Sequence, residues 1–281
     1  KHPFAGNEIG AIGISYQMHG LVCLGSDNKP LRPAIIWCDS RAVSYGNQAF
    51  EQLGASFCLE HFLNSPGNFT ASKLKWVKEN EPGIYKKIFR VCLPGDFIAM
   101  KLTGDIVTTV SGLSEGIFWD YMEDRIAQSL LDYYGIDKEL LAPTVPTFGE
   151  QGRLQAKAAT LLDIAAGTPV CYRAGDQPNN AFSLNVLEPG EIAATAGTSG
   201  VVYGITGKAA YDARSRVNPF VHVNHLPGSP RYGILMCLNG TGILNSWLRK
   251  NFFASESYDQ MNAAAENAPP GAEGIFCYPF G

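Results

Sequence analysis

Apolar and polar positions alternate in blocks along this chain, and the blocks change period. Short apolar runs open it: 9–14, with glycines inside, and 20–24. A turn cluster at Ser26-Asp27-Asn28-Lys29 precedes a third run beginning at 33–37. Runs this short, bounded by turn residues, read as strands, and their spacing predicts an antiparallel meander. Helical spacing follows. Residues 41–54 carry few breakers, and 71–80 place Leu74, Trp76 and Val77 on one face with the lysines elsewhere. Residues 96–103 and 127–134 each end at a glycine, a usual helix stop. Between them, Thr108-Thr109-Val110-Ser111 is polar and β-prone, and 112–120 reads as loop and strand.

The second half resets the pattern. A strand is predicted at 168–172, then a polar knot at 174–180 and a helix over 180–187. Strands follow at 191–196, 201–205 and 233–238, and a helix after Gly242 runs through Arg249. Strands and helices alternate, so the fold class is α/β.

With 281 residues, 46% of them hydrophobic and 17% charged, the chain can bury a sizeable core. Net charge is −4 with no basic run, which argues against a nucleic-acid or anionic-membrane partner. The seven cysteines are widely spaced and form no C-x-x-C, so neither a zinc site nor a disulfide framework is indicated. Free thiols fit a reducing cytoplasm. No apolar run reaches the roughly 20 residues of a membrane helix.

Four constellations could carry chemistry. Ser15-Tyr16-Gln17-Met18-His19-Gly20 crowds polar groups into a strand connection. Met18 offers an apolar wall there and His19 a partner for a hydroxyl, although a turn histidine satisfied by backbone is the plainer alternative. Trp37-Cys38-Asp39-Ser40-Arg41 combines an aromatic face, which packs on sugar C–H groups, with a carboxylate that accepts hydroxyl hydrogens. Asp39 or Ser40 could equally cap the next helix. In Gly175-Asp176-Gln177, an aspartate at or just before a helix N-terminus is kept ionised, which suits a proton acceptor; a plain cap is the alternative. Gly197-Thr198-Ser199-Gly200 and Gly240-Thr241-Gly242 are small and hydroxylated, as phosphate-binding turns are, but neither is followed by G-K-[ST]. Either could be an ordinary turn. His222 and His225 lack a third ligand and are set aside as a metal pair.

In this order, these segments resemble the FGGY carbohydrate kinases. The resemblance rests on Gly13-Ile14-Ser15-Tyr16-Gln17-Met18-His19-Gly20, Arg32-Pro33-Ala34-Ile35-Ile36-Trp37-Cys38-Asp39-Ser40-Arg41, Leu93-Pro94-Gly95-Asp96 with Leu102-Thr103-Gly104, Gly175-Asp176-Gln177, and Gly197-Thr198-Ser199-Gly200. It covers essentially the whole chain. It implies a ribonuclease H-like, actin-like ATPase fold, of which 1–281 would be the N-terminal sugar-binding domain. The family's opening D-x-G-T strand and its C-terminal adenine-binding domain are expected to be missing. It further implies transfer of phosphate from ATP, with Mg2+, to D-xylulose, or else to another pentulose or polyol. Asp176 would be the general base. Met18, His19, Trp37, Asp39, Asn68 and Gln177 would contact the sugar, and Gly197, Thr198 and Gly242 would lie along the phosphates. No metal ligand is assigned in the chain. A homodimer is compatible with the resemblance, and a non-catalytic sugar-binding module is the rival for the chain on its own. Most members carry Asn where this chain has Gln177, a change between two amides that both donate and accept.

Overall fold

Strands form close to the apolar runs, but they choose other partners than a meander requires. The computed structural model describes residues 6–197, 200–238 and 240–277. In chain order the strands are β1 (Ile12–Tyr16), β2 (Val22–Leu24), β3 (Arg90–Cys92), β4 (Trp119–Asp120), β5 (Arg125–Ile126), β6 (Val170–Gly175), β7 (Ile192–Ala196), β8 (Gly200–Thr206), β9 (Asn218–Val221) and β10 (Tyr232–Leu238). The helices are α1 (Val43–Leu53), α2 (Ala55–Phe62), α3 (Thr70–Asn80), α4 (Pro82–Tyr85), α5 (Pro94–Thr103), α6 (Val110–Glu115), α7 (Gln128–Tyr134), α8 (Ala156–Leu162), α9 (Asp176–Ser183), α10 (Gly242–Phe252) and α11 (Tyr258–Glu266).

The meander is corrected. β1 pairs parallel with β6, and β2 pairs antiparallel with β3. Only the second and third apolar runs meet, through reciprocal backbone bonds of 2.9 and 3.0 Å between Leu21 and Ile35. A hairpin between β1 and β2 would need a turn that folds the strands together. Instead His19 takes a left-handed φ of 60° and Gly20 packs directly against Pro94, where a Cβ would meet the ring at 2.5 Å. The chain therefore leaves β1 and starts afresh. One face of β1 finds cover: Ile14 and Tyr16 join Leu93, Ala99 and Val170 in a small core under α5, while Gly13 and Ser15 are exposed.

Two helices also differ from the reading of the sequence. The 108–120 segment, expected as β-prone and loop, contains α6, because the Thr109 side chain accepts the Gly112 N–H at 3.0 Å and caps it. α9 begins at Asp176, four residues earlier than expected, since Pro178 falls in its first turn, where a missing N–H costs nothing. The 71–80 helix forms as α3, yet Lys73 on it is wholly buried.

β7, β8, β10 and β9 make a four-stranded antiparallel sheet in that order. The main core runs from Met18, Leu21 and Cys23 through Phe62, Leu74 and Tyr134 to Tyr203, Phe220 and Leu235, so this sheet and the earlier elements share one interior. Cys23 and Cys58 are buried in it and Cys92 in a smaller cluster with Val22, Leu24 and Met100, whereas Cys38, Cys237 and Cys277 are exposed. No helix among the described residues is long and apolar enough to cross a membrane.

Candidate active site

The parallel pairing brings two distant constellations together. Ser15 lies beside Ala174 and Tyr16 beside Gly175, so Gln17-Met18-His19 and Asp176-Gln177 leave the same end of the pair. Open α/β sheets hold ligands at the carboxyl ends of parallel strands. Gly175 is where the approach is closest: a Cβ there would meet Met18 Cγ at 2.4 Å and Glu115 Oε2 at 2.5 Å.

His19 is held from both sides. Its Nδ1 lies 2.8 Å from the Glu115 carbonyl, and its ring meets Phe69 edge-on at 4.7 Å. Burial lowers its pKa to about 4, so the ring is neutral. A carbonyl only accepts, so Nδ1 carries the proton and Nε2 keeps a lone pair that can take a hydroxyl hydrogen. The turn histidine and the ligand-facing histidine are thus compatible, one for each ring nitrogen.

Asp176 is the first residue of α9; Gly175 occupies the cap position. Burial pushes its carboxyl pKa up, and the backbone N–H groups of Gln177 and Met18 work against that. The Gln177 N–H donates to Oδ1 at 3.0 Å and its amide Nε2 to Oδ2 at 3.3 Å. A half-buried carboxylate held between two segments can accept a proton from an alcohol brought within hydrogen-bond reach.

A second wall carries Trp37, Asp39 and Asn68. The Trp37 N–H donates to Gln17 Oε1 at 3.2 Å, tying this wall to the first. The Trp37 side chain is exposed. Asn68 Nδ2 donates to the Asp39 carbonyl at 2.6 Å, while its Oδ1 is buried with no partner among the described residues. Neither Asp39 nor Ser40 caps α1; Ala42 holds that position without a side-chain bond. The Asp39 carboxylate instead takes Arg41 Nε at 2.9 Å and Nη2 at 2.7 Å, and this pairing keeps its pKa below the usual range. Arg41 in turn lies over the Trp76 ring at 4.7 Å.

Gly197 and Gly242 meet each other. The Gly242 N–H donates to the Gly197 carbonyl at 2.9 Å, and Thr241 Oγ1 to the same oxygen at 3.2 Å. Gly200 is packed against Thr241, where a Cβ would meet Cγ2 at 2.8 Å. Among the described residues, Gly197, Gly200 and Gly242 therefore come together beside Thr241 at the N-terminus of α10, and a helix N-terminus with small residues around it is the kind of place phosphates use. Thr198 lies outside the described residues. His222 Nδ1 bonds to the Tyr203 hydroxyl at 3.1 Å and His225 Nδ1 lies 3.2 Å from the Arg231 carbonyl, so they do not act as a pair. Among the described residues no group of three or more His, Cys, Asp or Glu side chains could hold a metal ion.

Three buried ionisable residues are not legible in the sequence. Lys73 Nζ donates to backbone carbonyls behind both walls. Glu115 is bonded to the Tyr16 hydroxyl, and burial holds its carboxyl pKa far above normal. Arg173 pairs with Asp96 at 3.0 Å and takes Gln151 Oε1 at 2.8 Å. Asp96 lay within a quoted motif; nothing in the local pattern marked Lys73 or Glu115 as buried.

Residues 1–183 match the N-terminal domain of the FGGY family of carbohydrate kinases. The xylulose kinase of Staphylococcus xylosus is 27% identical over 275 residues, covering 98% of this chain and 56% of that protein. The solved xylulose kinase of Rhodospirillum rubrum superposes with a TM-score of 0.84 at 27% identity, over 96% of this chain and 55% of that one. The gluconate kinase of Lactobacillus acidophilus, at 24% identity, has the same fold with a TM-score of 0.85, over 96% of this chain and 54% of that one. The chain spans about half the length of the curated relatives it matches. The fold is that of these sugar kinases, in the actin-like ATPase class.

Proposed function

This chain belongs to the FGGY family of carbohydrate kinases, and from that premise we propose that the protein phosphorylates a small sugar from ATP, D-xylulose first, with Asp176 as the base. The observation that carries the reading is the parallel β1–β6 pair, which sets Met18 and His19 against Gly175 and Asp176. The likeness to xylulose kinases over nearly the whole chain favours the ketopentose. Residues 184–281 lie beyond the family match and join the same sugar-binding reading through the shared core. The cytoplasm, where ATP and free sugar meet, is the proposed compartment.

In this reading His19 Nε2 and the Gln177 amide hold sugar hydroxyls, with Met18 and the exposed Trp37 against the carbon skeleton. Asn68 Oδ1 is a further acceptor, and Asp39 orders this wall through Arg41. Asp176 accepts the proton of the attacking hydroxyl. The turns at Gly197, Thr198 and Gly242 would lie along the phosphates, and the two glycines bring no side-chain bulk to that path. Bound ATP with Mg2+ supplies the phosphoryl group and neutralises its charge.

An ADP-release assay on the full-length protein, with D-xylulose, D-ribulose and xylitol, tests the reading. Asp176→Ala is expected to lower turnover by about 100-fold or more while sugar affinity changes little. Turnover at the parental rate would remove Asp176 from the chemistry. A preference for ribulose or xylitol would keep the enzyme and change the substrate. Sugar binding without turnover would leave a binding module. Because burial raises the Asp176 pKa and the base must be ionised, activity should fall with acidification sooner than an ordinary aspartate would dictate.

A further inference from the structure

Lys73 has no solvent-exposed surface, and it faces no carboxylate at hydrogen-bond distance among the described residues. Its Nζ lies 2.9 Å from the His19 carbonyl, 3.0 Å from that of Ile36 and 3.5 Å from that of Trp37. An ammonium has three hydrogens, and here all are directed at backbone oxygens. Those oxygens belong to the turn after β1 and to the segment before α1, the two walls of the site. The two walls make few other links to each other: the Leu21–Ile35 bridge and the Gln17–Trp37 bond. Burying an ammonium without a counter-ion is costly, and an apolar side chain would fill the same space without that cost.

We infer that Lys73 is a positioning residue of the sugar site, a three-way clasp that fixes the spacing between His19 and Trp37. This rests on the sugar-site reading above. The clasp works through backbone, so the lysine need not touch the ligand. It holds a turn whose His19 is already in the left-handed region, a conformation that persists only when its surroundings enforce it.

The clasp has a pH signature. Burial lowers the Lys73 pKa to about 8, with Asp39 and Cys38 opposing that fall. The remaining group that faces it, His19, is neutral, and Arg41 is held charged by Asp39. Above that pH the amine has two hydrogens and turns a lone pair toward a carbonyl. One link is lost and sugar affinity declines.

The test uses the full-length protein in a Cys38→Ser background, which removes the neighbouring thiol. D-xylulose binding is measured by calorimetry at about pH 7 and about pH 9. Lys73→Met should weaken binding at neutral pH by about tenfold or more, the scale of one hydrogen bond to a charged group. It should also abolish the difference between the two pH values, and raise KM more than it lowers kcat. Binding within about twofold of the parent, with the same pH dependence, overturns the inference. If Lys73→Met does not fold, Lys73→Arg decides: a flat profile across that range supports the clasp, and an unchanged one overturns it. If the parent binds none of the sugars, the site reading fails separately. Amide exchange then judges the clasp: faster exchange at Leu21 and Ile35 in Lys73→Arg or Lys73→Met supports it, and unchanged exchange overturns it.

Discussion

Around β1 and β6, Lys73, Asp96, Glu115 and Arg173 are each no more than 2% exposed. In α10 and α11 no residue is buried, and Trp247 and Phe252 are 51% and 65% exposed. The first region puts ionisable groups where apolar groups are expected, and the second puts apolar groups where charge is expected. Lys73 is met by three carbonyls, Arg173 by Asp96 and Gln151, and Glu115 is pushed toward its neutral form by burial, so the first region is over-determined and each change there disturbs several partners at once. The second region is held by few side-chain contacts and should forgive substitution. The proposed base and sugar contacts sit on the over-determined side, whereas Gly242, proposed to lie along the phosphates, opens α10.

The sharpest way to break the comparison is Arg173→Met. It leaves the Asp96 carboxylate buried without its cation, and a loss of about 3–5 kcal/mol is expected in urea unfolding. Adding Asp96→Leu should restore most of that stability. A loss below about 1 kcal/mol in the single variant would mean that the pair is not a constraint. Next in size is Gly175→Ala, with about 1–3 kcal/mol of destabilisation and loss of sugar phosphorylation, because the new methyl meets Met18 and Glu115. Normal activity in that variant would show that the approach of β6 to the β1 turn is loose.

A pH titration probes the buried side of the comparison. His19 and His222 sit on different elements beside the same core, and burial lowers both pKa values to about 4. Between the free histidine value of about 6.5 and that value, the unfolded chain takes up protons that the folded chain does not. Stability is therefore highest above that window and declines as the pH falls through it. Thermal unfolding should show a drop of several degrees across it, reduced in His222→Gln. The smallest effect belongs to Phe252→Ser, expected within about 0.5 kcal/mol of the parent by the same measurement. A cost comparable to that of Gly175→Ala would erase the contrast between the regions.

The sequence made the helices with glycine stops legible, because a positive-φ residue ends α5 and α7 as the pattern says. His19, Asp176 and Trp37 stand out through the family resemblance and not through residue type alone, and the β1–β6 pairing brings the segments of His19 and Asp176 to one end. The pairing of β1 with β6 was not legible, since a short apolar run carries no record of its partner. α6 was misread because Thr108 to Ser111 favour strands locally, and the Thr109 cap decides otherwise. Lys73 and Glu115 were missed for a common reason. Periodicity sorts charged residues to the surface, and these two are buried because backbone carbonyls and a tyrosine hydroxyl receive them.

The exposed Cys38 lies between Trp37 and Asp39, on the wall that Lys73 clasps. That makes it a ready attachment point for a thiol-reactive, environment-sensitive dye. Cys237 in β10 and Cys277 beyond α11 are exposed away from that wall and would serve as reference labels in single-cysteine versions. A dye at Cys38 would report in real time when the site fills, with no radioactive substrate and no coupling enzyme, and could screen a library of sugars on one plate.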